Sequence, residues 1–167
     1  KIKRFLKEKE DNLSCYIAND NSNGQIVISG KAKDLKLFEN ELKKINIKYV
    51  NLPVSAPFHC PLMVNATQQM KRAIQETEFK NPIISIISNV TAKPLNDSEI
   101  IKKLLIEQIE KPVRWRESIN NMINLGVNNF IEIGPGKVLS GLVKRINRNV
   151  KLNQVNNLLD AKNLIND

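Results

Sequence analysis

The sequence predicts an α/β protein in two parts: an antiparallel α+β unit, followed by a mainly parallel sheet that helices cover. Turn-forming residues over 19–24 separate two segments rich in isoleucine and valine, which is typical of a β-hairpin. Apolar residues then recur at helical spacing over 31–45. After Pro53, apolar segments alternate with amphipathic ones, the order that predicts strands and helices of a parallel sheet.

The first part covers residues 1–54. In chain order it is predicted to contain the last turns of an amphipathic helix over 1–10, strands over 14–18 and 25–29, a helix over 31–45 and a strand over 47–54. Two antiparallel strands, a helix and a further strand form the second portion of a ferredoxin-like plait. We therefore expect the first strand of the plait, and most of its first helix, to lie before Lys1.

The second part covers residues 55–167. It is predicted to begin with a helix over 62–78 and a buried strand over 83–90. Two helices follow: the first is capped by Asp97 or Ser98 and ends at 109, and the second runs from Pro112 to 125 and is ended by Gly126. The remaining predicted elements are a buried strand over 129–133, a tight turn over 134–136, a helix over 137–148, a strand over 150–155 and a helix over 158–165.

The charge balance is strongly basic, with 26 lysines and arginines against 17 acidic residues and a net charge of +9. Such a balance favours anionic partners. Aromatic residues are scattered and make up only 5% of the chain, which disfavours nucleic acid as the partner. The apolar stretches are far shorter than the ~20 residues of a membrane span. Two cysteines and no signal peptide predict reduced thiols in a cytoplasmic protein.

His59 is the single histidine of the chain and lies between Pro57 and Pro61. A lone histidine is more often structural than catalytic, but a stiff loop at an element boundary suits a general base, which must lie within hydrogen-bond reach of its target. The chain contains no Gly-x-Ser-x-Gly elbow to supply a serine nucleophile. Cys60 is adjacent in sequence and is a poor dyad partner, and the ligand spacing of a metal site is missing.

A second candidate is the turn Gly134-Pro135-Gly136, which follows a predicted strand and opens a helix. Backbone amides at such a helix start can bind an anion. The turn lacks the spacing of a phosphate-binding P-loop, so a plain strand-to-helix connection is the favoured interpretation.

Four segments, in register, resemble the malonyl-CoA:acyl-carrier-protein transacylases of bacterial fatty-acid synthesis. The segments are NDNSNGQIVISG (19–30), LPVSAPFHCPLM (52–63), KPVRW (111–115) and IEIGPGKVLSGL (131–142). The resemblance implies an α/β-hydrolase-like core with an inserted ferredoxin-like subdomain. It also implies transfer of malonyl from coenzyme A to the phosphopantetheine thiol of acyl carrier protein through an acyl-serine, without a cofactor.

The resemblance also implies roles for single residues. His59 matches the histidine that takes the proton of the nucleophilic serine, and Gln108 matches the position whose backbone carbonyl accepts a hydrogen bond from that imidazole. The substrate-binding positions implied are Asn19, Asn21 and Gln25, near the coenzyme A and pantetheine groove. Phe58 matches an aromatic residue of many malonyl-selective enzymes, where methylmalonyl-selective ones often carry serine, because bulk there crowds an α-methyl branch.

The sequence departs from the family in lacking the nucleophilic serine, the oxyanion-hole glutamine and the arginine that binds the malonyl carboxylate. The hypothesis is therefore that the chain is the carboxy-terminal, histidine-bearing part of a transacylase, inactive by itself because no acyl-enzyme forms without the nucleophile. Its expected partners are malonyl-CoA, acyl carrier protein and the missing amino-terminal half. The alternative is a non-catalytic basic module that binds acyl carrier protein or nucleic acid.

Overall fold

The computed structural model describes residues 2–8 and 13–166. Over these residues the helices are α1 (Ile2–Glu8), α2 (Ala32–Lys44), α3 (Val64–Glu76), α4 (Ser98–Gln108), α5 (Trp115–Asn124), α6 (Val138–Ile146) and α7 (Leu158–Asn166), and a short 3₁₀ helix (Pro61–Met63) precedes α3. The strands are β1 (Cys15–Ser22), β2 (Gln25–Gly30), β3 (Ile86–Ile87), β4 (Pro94–Leu95), β5 (Asn129–Ile133) and β6 (Lys151–Val155). None of the helices in these two ranges is long and apolar enough to span a membrane.

The described strands form three two-stranded sheets. β1 pairs with β2, and β3 with β4, in antiparallel fashion, whereas β5 and β6 are parallel. The prediction of a mixed α/β protein is confirmed. Of the predicted parallel sheet, the described residues contain one parallel pair, β5 with β6, whereas β3 is only two residues long and pairs with the nearby β4 in antiparallel fashion.

The hairpin and the helix that follows it were both predicted and both form. β1 runs to Ser22, further into the polar segment than expected, and the chain reverses at Asn23 and Gly24. Gly24 has a φ of 82°, a left-handed conformation that glycine adopts without a Cβ clash. One face of α2 then packs against this hairpin and α1. The buried core of this part consists of Leu6, Cys15, Phe38 and Leu42.

The predicted helix over 1–10 is present where the structure describes it, as α1, and residues 1 and 9–12 lie outside the described residues. The predicted strand over 47–54 is wrong. Its backbone hydrogen bonds are local, from Ile47 N to the Leu42 carbonyl and from Val54 N to the Leu52 carbonyl. A strand needs a neighbour that completes its ladder. No described strand pairs with this segment, and Val50 is exposed.

Two segments predicted as buried strands are largely exposed. Over 83–90 only Ile86 and Ile87 form a strand, and Ile83 and Ile84 are exposed. The strand over 129–133 is confirmed as β5, but its burial is not, since Ile133 is 80% exposed. The apolar composition shows only that burial would stabilise these two segments, and no described element covers their exposed isoleucines.

The helices of the second part were predicted well except at one start. Asp97 is the residue that caps α4, because its Oδ1 accepts a hydrogen bond of 2.8 Å from the Ile100 amide. The helix expected from Pro112 begins only at Trp115. The reason is a parallel bridge to β1, in which Val113 N donates to the Ala18 carbonyl at 2.8 Å and Asp20 N donates to the Val113 carbonyl at 2.9 Å.

Candidate functional site

His59 lies in the loop before the 3₁₀ helix Pro61–Met63, with its side chain half-buried. Its φ is 59°, in the left-handed region that residues with a Cβ seldom occupy. Contacts from elsewhere in the fold must therefore stabilise this backbone conformation.

One such contact joins His59 Nδ1 to the backbone carbonyl of Gln108, at 3.0 Å. Gln108 is the last residue of α4, where carbonyl groups lack partners inside the helix. Because a carbonyl oxygen only accepts, Nδ1 carries the hydrogen and donates it. The neutral imidazole then has its lone pair on Nε2, the tautomer that a general base requires.

The amide side chain of Gln108 contributes differently. Its Nε2 donates to the Lys111 carbonyl at 3.1 Å, which fixes the orientation of the amide. The same Nε2 lies 3.3 Å from His59 Nδ1. Both nitrogens carry hydrogens when Nδ1 donates to the carbonyl, so this second contact is packing rather than a hydrogen bond. The backbone of Gln108, and not its side chain, therefore orients the imidazole.

Cys60 is fully buried beside the histidine, and its Sγ donates to the Pro57 carbonyl at 3.0 Å. Burial raises the pKa of this thiol. The prediction that Cys60 forms no dyad with His59 agrees with this geometry, because the thiol is bonded to its own loop and is disfavoured as a thiolate. Among the described residues no cluster of histidine, cysteine and acidic side chains forms a metal site.

Both thiols are expected to be inert toward alkylation in the folded chain. Burial, with Asp34 nearby, raises the pKa of Cys15 to about 11 from 9.0, so its thiolate fraction at pH 8 falls about a hundredfold. Iodoacetamide labelling followed by mass spectrometry should show both cysteines at least tenfold slower in buffer than in 8 M urea. Rapid labelling of Cys60 alone in buffer would contradict its assignment as a structural thiol.

The other predicted site residues lie on the β1–β2 hairpin and beside the histidine. Asn19 and Asn21 are on β1 and Gln25 is on β2, each half-buried, whereas Phe58 is partly exposed next to His59. No hydrogen bond joins the hairpin side chains to His59 within the described residues. The link is the connector over 109–114, which leaves α4 at Gln108 and pairs with β1 at Asn19.

Two arginines from neighbouring helices bind the hairpin, and sequence reasoning missed both contacts. Arg116 of α5 donates from Nη1 to Asn23 Oδ1 at 2.6 Å and from Nη2 to Asp20 Oδ2 at 2.8 Å. Arg145 of α6 donates to Gln25 Oε1. These partners are 93 to 120 residues apart in the chain, so no local pattern indicates them. Together they fix the hairpin on α5 and α6.

The turn Gly134-Pro135-Gly136 is the plain connection that was favoured. The amides of Leu139 and Ser140 at the start of α6 donate to Glu132, at 3.0 Å to Oε1 and 2.7 Å to Oε2. An internal carboxylate therefore occupies the helix start, where an external anion would otherwise bind. Hydrogen bonds from the Ser140 side chain and from these backbone amides lower the pKa of Glu132.

This lowered pKa predicts a pH-dependent contribution to stability. The folded-state pKa of Glu132 lies below its unfolded value of about 4.5, so its stabilising effect is complete above that pH and is lost as the pH falls through the folded pKa. Thermal unfolding should show Glu132→Gln less stable than the parent at pH 7, with the difference shrinking below pH 4.5. A difference that stays constant from pH 7 to pH 3 would contradict the ionic origin.

A cleft of about 170 Å³ lies between α4 and the β3–β4 pair, and Gln108 forms part of its wall. The remaining lining is mainly apolar, with Ile86, Ile87 and Leu95 on one side and Ile101, Leu104 and Leu105 of α4 on the other. The helix end that orients His59 therefore borders an open apolar depression.

Comparisons with known proteins identify the family of this chain. The family model described as "Acyl transferase domain" matches residues 3–161. A relative from Bacillus subtilis (strain 168), "Malonyl CoA-acyl carrier protein transacylase", is 47% identical over 147 residues, which are 87% of this chain and 46% of the relative.

Solved structures are similar over almost the whole chain. The acyl-carrier-protein-S-malonyltransferase from Bartonella henselae has a TM-score of 0.92 and 40% identity, covering 99% of this chain and 53% of the other. A malonyl-transacylase solved in complex with its type II PKS acyl-carrier protein has a TM-score of 0.90 and 33% identity, covering 99% and 54%. The chain thus spans about half the length of these relatives. Its sequence and its fold together show that the chain belongs to the acyl transferase domain family.

Proposed function

We propose that this chain is the histidine-bearing portion of a malonyl-CoA:acyl-carrier-protein S-malonyltransferase. The observation that carries the proposal is the hydrogen bond from His59 Nδ1 to the Gln108 carbonyl, which leaves Nε2 free to accept a proton. The printed names of the relatives, a transacylase and an S-malonyltransferase, support the same reaction.

In the proposed mechanism, His59 serves both half-reactions. Nε2 takes the proton of a serine hydroxyl as its oxygen attacks the malonyl thioester, and the imidazolium then returns that proton to the departing coenzyme A thiolate. In the second half-reaction Nε2 takes the proton of the phosphopantetheine thiol, whose sulfur attacks the acyl-serine, and the proton returns to the serine oxygen. The Gln108 carbonyl stabilises the imidazolium in both steps.

The remaining roles are proposed from position and charge. Asn19, Asn21 and Gln25 would bind coenzyme A and the pantetheine arm, on a hairpin that Arg116 and Arg145 fix in place. Phe58 would exclude an α-methyl branch. The net charge of +9 suits anionic coenzyme A and an acidic carrier protein.

The finer architecture belongs to the same proposal. Residues 1–54 would form part of a ferredoxin-like subdomain, and residues 55–167 the carboxy-terminal part of an α/β-hydrolase-like core. The β1–β2 hairpin with α2 supports the first assignment, and the parallel β5–β6 pair with α6 supports the second. Two free thiols suit the cytoplasm as the place of action.

The test is transfer of radiolabelled malonyl from malonyl-CoA to holo acyl carrier protein. The chain should be tested alone and together with the segment of the Bacillus subtilis transacylase that has no counterpart in it. We expect no transfer by the chain alone, because it contains no Gly-x-Ser-x-Gly elbow to supply a serine nucleophile. When both halves are present, we expect labelled carrier protein to form. Carrier binding without transfer, in a folded assembly of both halves, would favour a non-catalytic basic module instead.

A further inference from the structure

The strand β1 is irregular where it carries the asparagines proposed to bind substrate. Its register with β2 shifts twice, so that within the described hairpin Ala18 and Asn21 have no partner residue on β2. Asn19 and Asp20 lie between these two shifts and pair with consecutive residues of β2. Such β-bulges redirect side chains and interrupt the ladder of hydrogen bonds. The position of Asn19 and Asn21 therefore depends on contacts that β1 makes outside its own hairpin.

The start of α5 supplies such contacts. In the main chain, Val113 N donates to the Ala18 carbonyl at 2.8 Å, and Asp20 N donates to the Val113 carbonyl at 2.9 Å. Three residues later, Arg116 donates from Nη2 to Asp20 Oδ2 at 2.8 Å and from Nη1 to Asn23 Oδ1 at 2.6 Å. The beginning of α5 thus binds both the backbone and the side chains of this part of the hairpin.

The guanidinium of Arg116 spans the second bulge. Its two partners, Asp20 and Asn23, lie on either side of Asn21 in the chain. A planar guanidinium binds two acceptors in a fixed geometry, and hydrogen bonds between charged groups are stronger than neutral ones. The Asp20 side chain is only 13% exposed, so solvent and salt screen this ion pair less than a surface pair. The distance between the two ends of the bulge is therefore fixed by one side chain.

Arg116 and Asn19 lie on opposite faces of β1. Asn19 and Asp20 pair with β2 in consecutive register, and successive side chains of a strand point to opposite faces. Because Arg116 binds the Asp20 carboxylate, it lies on the face opposite to Asn19. A ligand bound by Asn19 would then be affected by Arg116 through the strand, and not by direct contact.

We propose that Arg116 is a positioning residue of the coenzyme A site. Through Asp20 and Asn23 it holds the bulge at Asn21, and with it the side chains of Asn19 and Asn21, in the conformation that binds a coenzyme A thioester. The inference rests on the proposed function, which assigns these two asparagines to coenzyme A and its pantetheine arm. Loss of the Arg116 contacts should weaken thioester binding and leave proton transfer unchanged, because the catalytic imidazole is bound to α4 and not to the hairpin.

The test is a double-mutant cycle with Arg116→Ala and Asp20→Ala. The chain is paired with the segment of the Bacillus subtilis transacylase that has no counterpart in it, and malonyl transfer to holo acyl carrier protein is measured. Each single variant should raise the KM for malonyl-CoA about tenfold and leave kcat within twofold of the parent, because a small displacement of binding groups is costly. The double variant should be no worse than either single variant.

The cycle separates positioning from the attraction of an anionic substrate. Arg116→Ala lowers the net charge by one and Asp20→Ala raises it by one, so a rise in KM shared by both variants cannot come from net charge. Arg72→Ala is the matched control, because it removes an arginine together with its 2.7 Å ion pair to Glu76, on α3 and outside the hairpin. Its KM for malonyl-CoA should stay within twofold of the parent.

Two further measurements do not depend on turnover. Calorimetric titration of coenzyme A into the paired chains should show the same cycle in affinity. Hydrogen exchange on the chain alone should be at least fivefold faster over 19–23 in Arg116→Ala and in Asp20→Ala than in the parent or in Arg72→Ala. Circular dichroism checks that every variant remains folded.

Weaker binding in Arg116→Ala but not in Asp20→Ala would overturn the inference in favour of direct contact between the guanidinium and coenzyme A. Unchanged affinity in both variants, additive losses in the double variant, or no binding of coenzyme A by the paired parent chain would also overturn it. Binding that follows the expected cycle without any malonyl transfer by the parent would instead contradict the proposed function and leave the positioning role of Arg116 intact.

Discussion

Replacing His59 with alanine is expected to lower malonyl transfer by the chain, paired with its complementary half, about 10²- to 10⁴-fold. The reason is that, in the proposed mechanism, Nε2 of His59 takes a proton in both half-reactions, and the chain contains no other histidine. Because the Gln108 carbonyl holds the ring by Nδ1, Nε2 is the nitrogen whose removal would stop proton transfer. The measurement is the initial rate of labelled carrier formation at saturating malonyl-CoA.

Gln108→Ala is the matched control for this prediction. Alanine keeps the backbone carbonyl that accepts from Nδ1 and removes only the amide, whose own hydrogen bond goes to the Lys111 carbonyl. Its transfer rate should stay within about threefold of the parent, and alanine favours the helix that ends there. A loss as large as that of His59→Ala would mean that the amide side chain, and not the main chain, orients the imidazole.

Sequence patterns predicted the elements whose determinants are local. The apolar spacing along α2, the polar turn of the β1–β2 hairpin and the Asp97 cap of α4 each act within a few residues. From α2 to α7 the helix ends differ from the predicted ends by at most two residues, except at the start of α5, which differs by three. That start depends on the pairing of Val113 with β1, which joins residues nearly a hundred positions apart.

The wrong predictions concern strands, because a strand depends on its neighbour. The segments 47–54 and 83–90 have the composition of strands, and no described partner continues their ladders beyond Ile86 and Ile87. The prediction that β5 is buried was wrong for a related reason, because no described element covers Ile133. Composition therefore predicts where a strand can form, whereas pairing and burial depend on segments that a local pattern does not include.

The candidate site could be predicted from the sequence only in part. The sequence identifies His59 as a candidate because it is the only histidine and lies on a stiff loop. Its connection to Gln108, 49 residues away, was predicted only from the family resemblance. The contacts of Arg116 and Arg145 with the hairpin were missed, because both residues resembled ordinary surface cations in sequence. The roles of Asn19, Asn21, Gln25 and Phe58 stay predictions.

Phe38→Ala is expected to cost about 3–5 kcal/mol of folding free energy, a large share of the ~5–15 kcal/mol that stabilises a typical domain. Phe38 is 2% exposed, packs with Leu6, Cys15 and Leu42, and has its ring centroid 5.6 Å from that of Phe5. Removing the ring leaves a cavity between α2 and the β1–β2 hairpin. The midpoint of thermal unfolding should fall by about 6–20 °C, measured by circular dichroism.

Leu37→Ala separates burial from helix formation in this prediction. Leu37 is the preceding residue on α2 and is 54% exposed, so the same replacement should change the folding free energy by about 0.5 kcal/mol or less. Alanine is the better helix former at both positions, so the loss at Phe38 is a lower limit on the packing that it removes. Equal effects of the two substitutions would contradict a core at this place.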